Sequence, residues 1–108
     1  HRCEVEIDFQ GPNPGVINDA ALAALAAESV KKYVGEEHLA TCEPWMASES
    51  MSRYLVKYPG VFAFLGIANE AAGTGAAHHN PKFDIDESAL KIGVAATVGF
   101  AMDFLGQK

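Results

Sequence analysis

The chain has 108 residues, with 8 Lys/Arg against 14 Asp/Glu, a formal net charge of −6 and no run of basic side chains. This balance excludes a nucleic-acid backbone as partner, which calls for a basic face. Apolar residues at 49% and charged residues at 20% are those of an ordinary soluble domain with length for one core.

Residues 3–9, CEVEIDF, alternate strictly, with Cys3, Val5, Ile7 and Phe9 on one side and Glu4, Glu6 and Asp8 on the other. A period of two predicts a β-strand with one wet face. The opening HRCEVEIDFQ lacks a signal-peptide pattern and an initiating Met, so the chain is expected to be a fragment or processed piece of a longer protein. QGPNPG at 10–15 breaks the alternation with two Gly and two Pro and marks a domain boundary.

Residues 18–35, NDAALAALAAESVKKYVG, predict a helix with both ends punctuated. Asn18 is the expected cap, and Asp19 complements the positive end of the helix dipole. Leu22, Leu25, Ala26, Ser29, Val30 and Tyr33 fall on one stripe. Lys31 and Lys32 occupy the last turn, and Gly35 suits the C-terminal cap.

Leu39–Cys42 is ambiguous and reads as a short strand. SESMSRYLVKY, 48–58, predicts a short helix ended by Pro59–Gly60. VFAFLGI, 61–67, is apolar throughout, as a strand buried on both faces should be. Residues 68–84, ANEAAGTGAAHHNPKFD, have neither period. An irregular stretch of this length tends to be functional, and at the end of a buried strand it lies where α/β sheets bind ligands.

The final helix is expected over 86–105, capped by Asp86 or Ser88. It carries the stripe Leu90, Val94, Val98, Ala101 and Leu105, with further apolar groups on its other sides. It therefore reads as buried nearly all round. Gly93 and Gly99 cost helix propensity, which close packing against a neighbour would explain. The longest uncharged apolar run, Ile92 to Met102, is too short to cross a bilayer. The element order predicts an α/β fold whose first strand belongs to another layer or domain.

The candidate chemistry centres on His78 and His79. An imidazole is the commonest protein ligand of a zinc-type ion. Side chains of adjacent loop residues diverge, so at most one of the two would ligate. The competing reading is a surface pair bonded to the Asn80–Pro81 turn. Glu49 sits where a helix-start carboxylate is favoured for structural reasons alone. Asp84, Asp86 and Glu87 lie near the histidines, but capping explains two of them. The GTG at 73–75 lacks the features of a phosphate loop. Cys3 and Cys42 form no CxxC and read as reduced, small hydrophobes, with Cys3 packed beside Val5 and Ile7. His1 and His38 read as solvated.

Residues 58–105, YPGVFAFLGIANEAAGTGAAHHNPKFDIDESALKIGVAATVGFAMDFL, resemble the C-terminal end of the M20 metallopeptidase family. The likeness is to its amidohydrolase branch of hippurate, N-acyl-amino-acid and auxin-conjugate hydrolases. MASESMSRY at 46–54 resembles the family's Gly/Ser-Glu-Asp-Phe segment, and PGVINDAAL at 14–22 its return from the lid domain. The resemblance implies the C-terminal part of a zinc-peptidase-like α/β/α sandwich over 13–108, preceded over 1–12 by the last strand of an α+β lid, or dimerisation, domain. It implies His79 as a metal ligand, and His78, Glu49 and Gly75 as residues touching substrate or supporting the ligand. Ser50 and Met51 stand where the family has Asp and Phe. The implied cofactor is one or two divalent ions, Zn or Mn. The implied substrate is a small N-acyl-amino acid or peptide, in an enzyme that can form a homodimer. The cysteine usage reads as that of a cytoplasmic protein, and the charge and the short apolar run as those of a chain with neither nucleic-acid nor membrane partners. The family's remaining ligands and its general-base Glu lie in an N-terminal half outside this segment, so no catalytic residue is expected here and the segment alone should be inactive. The alternative is a non-catalytic relative or interaction module pairing through strand 3–9.

Overall fold

The computed structural model describes residues 2–8 and 11–107. Three helices carry the fold: α1 (Ala20–Tyr33), α2 (Ser52–Leu55) and α3 (Ser88–Gly106), with 3₁₀ turns at Glu36–His38 and Glu70–Ala72.

The start of α1 differs by one residue from expectation. Asp19 is the cap, and its Oδ1 accepts from the Leu22 N–H at 2.9 Å. Asn18 instead grips residue 62 across the fold. Its Oδ1 accepts from the Phe62 N–H at 2.8 Å and its Nδ2 donates to the Phe62 carbonyl at 2.9 Å. The Asp19 N–H donates to the Gly60 carbonyl at 3.0 Å, so residues 60–62 run beside the α1 N-terminus. At the other end, the Val34 and Gly35 N–H groups both donate to the Val30 carbonyl. Gly35 then leaves with φ +120°, a backbone that favours glycine.

α1 packs on α3. Ser29 is fully buried at the seam and its hydroxyl donates to Asp103 Oδ2 at 2.8 Å. Lys32 Nζ and Tyr33 Oη donate to the other oxygen of Asp103 at 2.7 and 3.0 Å. Lys32 holds the Asp103 carboxyl below the usual carboxylate range, helped by Ser29 and Tyr33. Asp103 in turn pushes the Lys32 ammonium up to about 12. A side chain at position 99 would collide with the Tyr33 ring, and one at position 93 would meet Leu65. The two glycines thus let α1 and residue 65 approach α3 closely, as their cost in helix propensity suggested.

α3 is not buried all round. Ala89 and Gly99 are buried, whereas Leu90, Val94, Val98 and Leu105 are at least half exposed. One helix can cover only one face of another, and among the described residues α1 is the helix that packs there. The covered face is the one carrying Gly99 and Asp103, and the aliphatic stripe read from the sequence points away from it. By length and composition α3 could cross a membrane, but its buried face is a polar-locked seam with another helix.

The strands expected at 3–9, 39–42 and 61–67 are absent among the described residues, Phe9 lying outside them. A strand needs a neighbour for its backbone groups, and among the described residues no strand runs beside these segments. Val5 and Ile7 are about 80% exposed and Phe64 is 56% exposed, so 61–67 is not the doubly buried strand its composition implies. Cys3 is exposed rather than packed, and both cysteines are free. The radius of gyration is 18.2 Å, against about 13 Å for a compact domain of this length. One helical seam is not the ordinary core that the length would allow.

Candidate functional site

The irregular segment 68–84 is fastened at both ends. At the first, Asn69 and Thr74 form an antiparallel bridge. The Asn69 N–H donates to the Thr74 carbonyl at 2.8 Å, and the Thr74 N–H returns to the Asn69 carbonyl at 3.0 Å. Gly73 closes this turn with φ +77°, so it is Gly73 whose backbone calls for glycine. Gly75 has open space where a side chain would stand.

Asp86 then ties the two ends together. Its Oδ2 accepts from Asn69 Nδ2 at 2.7 Å, and its Oδ1 accepts from the Ser88 N–H at 2.9 Å. The cap position of α3 itself is Glu87, neither Asp86 nor Ser88, and its side chain makes no capping bond. The Asn69 amide, followed by Ser88, holds the Asp86 carboxyl below its usual range. The Asp86 N–H also donates to the Ile67 carbonyl at 2.9 Å. The chain therefore leaves and returns at one place, and 76–83 is presented as a closed loop.

Within that loop, Asn80–Phe83 is a β-turn with Pro81 at its second position. The Asn80 carbonyl accepts from the Phe83 N–H at 2.9 Å, and Asn80 Oδ1 accepts from the Lys82 N–H at 2.9 Å. The histidines stand just before it. His79 is exposed and has φ +62°, the one positive φ outside glycine among the described residues. For an L-residue this backbone costs roughly 1–2 kcal/mol, and it persists only where the surroundings impose it.

His78 does not bond to the Asn80–Pro81 turn. Its ring lies edge-on to two aromatics, with centroids 5.8 Å from Trp45 at 76° and 5.2 Å from Phe83 at 87°. Trp45 meets Phe64 at 5.6 Å, and Phe64 meets Phe62 at 5.3 Å. Pairs of this geometry contribute about 0.5–1.5 kcal/mol each beyond area burial. A line of five rings thus runs from the His78 loop to Phe62, which Asn18 pins to α1. Sequence reasoning overlooked Trp45 and Phe64. The signal was slight: Trp45 is the one tryptophan of the chain, standing in a segment without a clear period.

Glu49 lies at the start of α2. Its Oε1 accepts from the Met51 N–H at 2.9 Å and from Ser50 Oγ at 3.4 Å, and its carbonyl accepts from Ser52 Oγ at 2.6 Å. These bonds close the turn that leads into α2, whose cap position is Met51. No hydrogen bond or ion pair joins Glu49 to His78 or His79 among the described residues.

No three His, Cys, Asp or Glu side chains converge as an ion's ligand set among the described residues. One exposed imidazole is chemically suited to one corner of such a sphere. The donor set of His79 fits a single ligand position, not a self-contained site.

The profile described as "Peptidase family M20/M25/M40" matches residues 2–103. The chain belongs to this family. The M20 chain is 30% identical to the IAA-amino acid hydrolase ILR1-like 2 of Arabidopsis thaliana, across 100% of this chain and 25% of that protein. It is 30% identical to the putative amidohydrolase YhaA of Bacillus subtilis, across 96% of this chain and 26% of that protein. It is 42% identical to the thermostable carboxypeptidase 2 of Saccharolobus solfataricus, over 57% of this chain and 16% of that protein. It therefore spans about a quarter of the length of the first two relatives. No solved structure matches it. Family membership accords with the α/β class read from the sequence, of which the described residues supply helices.

Proposed function

We propose that this chain is the C-terminal portion of an M20 amidohydrolase that cleaves an N-acyl-amino-acid amide or a peptide bond. The observation that carries the reading is His79, an exposed imidazole on a left-handed residue of a fastened loop, in a chain that belongs to a peptidase family. His79 contributes one ligand to a divalent ion, Zn or Mn, of which the whole enzyme holds one or two. Such an ion supplies Lewis acidity and a water of lowered pKa. The rest of the ligand set and the proton-accepting Glu belong to the remaining length of the enzyme.

In this segment the bonds of Asp86 and the Asn80 turn fasten the backbone of the loop that carries His79. His78 and Gly75 sit on the same loop, within reach of a substrate that approaches the ion. Glu49 supports the turn into α2. Residues 1–12 complete a lid domain, and 13–108 complete an α/β/α catalytic domain. Segments 3–8 and 61–67 and the outer stripe of α3 are covered by the rest of that enzyme, a cytoplasmic protein able to dimerise through its lid. Their exposure in this chain supports the reading.

The chain alone, incubated with Zn or Mn, is expected to show no hydrolysis of N-acetyl-amino acids, because one His cannot assemble an open catalytic site. Clear turnover by these 108 residues would contradict the assignment.

A further inference from the structure

We propose that Trp45 and Phe83 are positioning residues for His79. The proposal rests on the reading of His79 as a ligand. The left-handed backbone at His79 needs restraint from both sides, and each neighbour supplies one. Before it, the His78 ring is held edge-on by Trp45 and by Phe83. After it, the Asn80 carbonyl is held by the Phe83 N–H at 2.9 Å. Phe83 thus takes part on both sides of His79, its ring against the preceding residue and its amide against the following one. Trp45 anchors that unit to Phe64, outside the loop. The direction in which the imidazole leaves the backbone is therefore set by two aromatic side chains that need touch neither ion nor substrate. Outer-shell groups that hydrogen-bond a ligand directly change metal affinity by about 10–100-fold, and a restraint passed through the ligand's backbone is expected near the lower end of that range.

The test uses the enzyme at the full length of its relatives, with cobalt(II) as probe. Two quantities are read: the cobalt dissociation constant, by chelator competition, and hydrogen exchange over 76–83 in the metal-free protein. Trp45→Ala and Phe83→Leu should each weaken cobalt binding by about tenfold or more and speed exchange at 78–80. Trp45→Phe and Phe83→Tyr, which keep a ring edge in place, should restore both readouts. Wild-type affinity in Trp45→Ala overturns the proposal, whether or not the loop exchanges faster. So does a loss of affinity that Trp45→Phe fails to rescue. Should Trp45→Ala not fold, the Phe83 pair carries the same two outcomes. His79→Ala is the separate control: unchanged cobalt affinity there removes the ligand assignment itself, whereas weakened binding in His79→Ala with none in the aromatic variants removes only the positioning role.

Discussion

Asn18 and Phe62 are joined as two neighbouring strands would be. One side-chain amide accepts from the Phe62 N–H at 2.8 Å and donates to its carbonyl at 2.9 Å. The link fixes the 61–67 segment to the α1 N-terminus, and through Phe64 and Trp45 it steadies the His78 loop.

Asn18→Ala removes both bonds. At about 1 kcal/mol for each hydrogen bond, it should cost roughly 1–2 kcal/mol of stability. Denaturant unfolding reads the loss, and hydrogen exchange at the Phe62 amide should quicken. An unchanged exchange rate there would show that the amide grip restrains nothing.

Gly99→Ala sets helix propensity against packing. An added methyl gains up to about 1 kcal/mol in an exposed helix interior. Here it meets the Tyr33 ring, which the hydroxyl's bond to Asp103 restrains. Overpacking of this kind costs about 1–3 kcal/mol, so the net effect should be a lower melting temperature. A raised one would mean that Tyr33 swings aside freely.

The pH dependence of the α1–α3 seam follows from Lys32 and Asp103. The folded-state carboxyl of Asp103 lies below its ordinary 3.8, so its contribution is complete above that value and is lost as pH falls through the folded pKa. The folded-state ammonium of Lys32 is pushed from 10.5 up to about 12, so its contribution is complete below 10.5 and is lost as pH rises through about 12. Stability against pH should show a plateau between these limits, and Asp103→Asn should flatten both edges. An Asp103→Asn curve parallel to wild type would remove the pair from the account.

The helices were legible because their hydrogen bonds are local. Ala20–Tyr33 and Ser88–Gly106 lie within two residues of the boundaries read from caps and stripes, and Gly35, Gly93 and Gly99 stand where punctuation and packing required them. A one-residue shift of the first cap came from competition: Asn and Asp side chains are equally suited to cap a helix, and Asp19 does so because the Phe62 backbone draws Asn18 away. The strands were not legible in the same sense. Alternation at 3–9 and an apolar run at 61–67 report what a segment would do beside a partner, and the partner is not written in the segment. The same limit applies to the site. Local sequence did not separate His79 from His78; the family resemblance did, by the place of His79 two residues before Pro81, whereas the contact of His78 with Trp45 spans more than thirty residues of sequence and has no local signature.

The most direct measurement is the metal content of the full-length protein, by elemental analysis after exhaustive dialysis, in wild type, His79→Ala and the solvated-histidine control His38→Ala. The account predicts at least one bound ion fewer in His79→Ala and wild-type content in His38→Ala. Wild-type content in His79→Ala would contradict it.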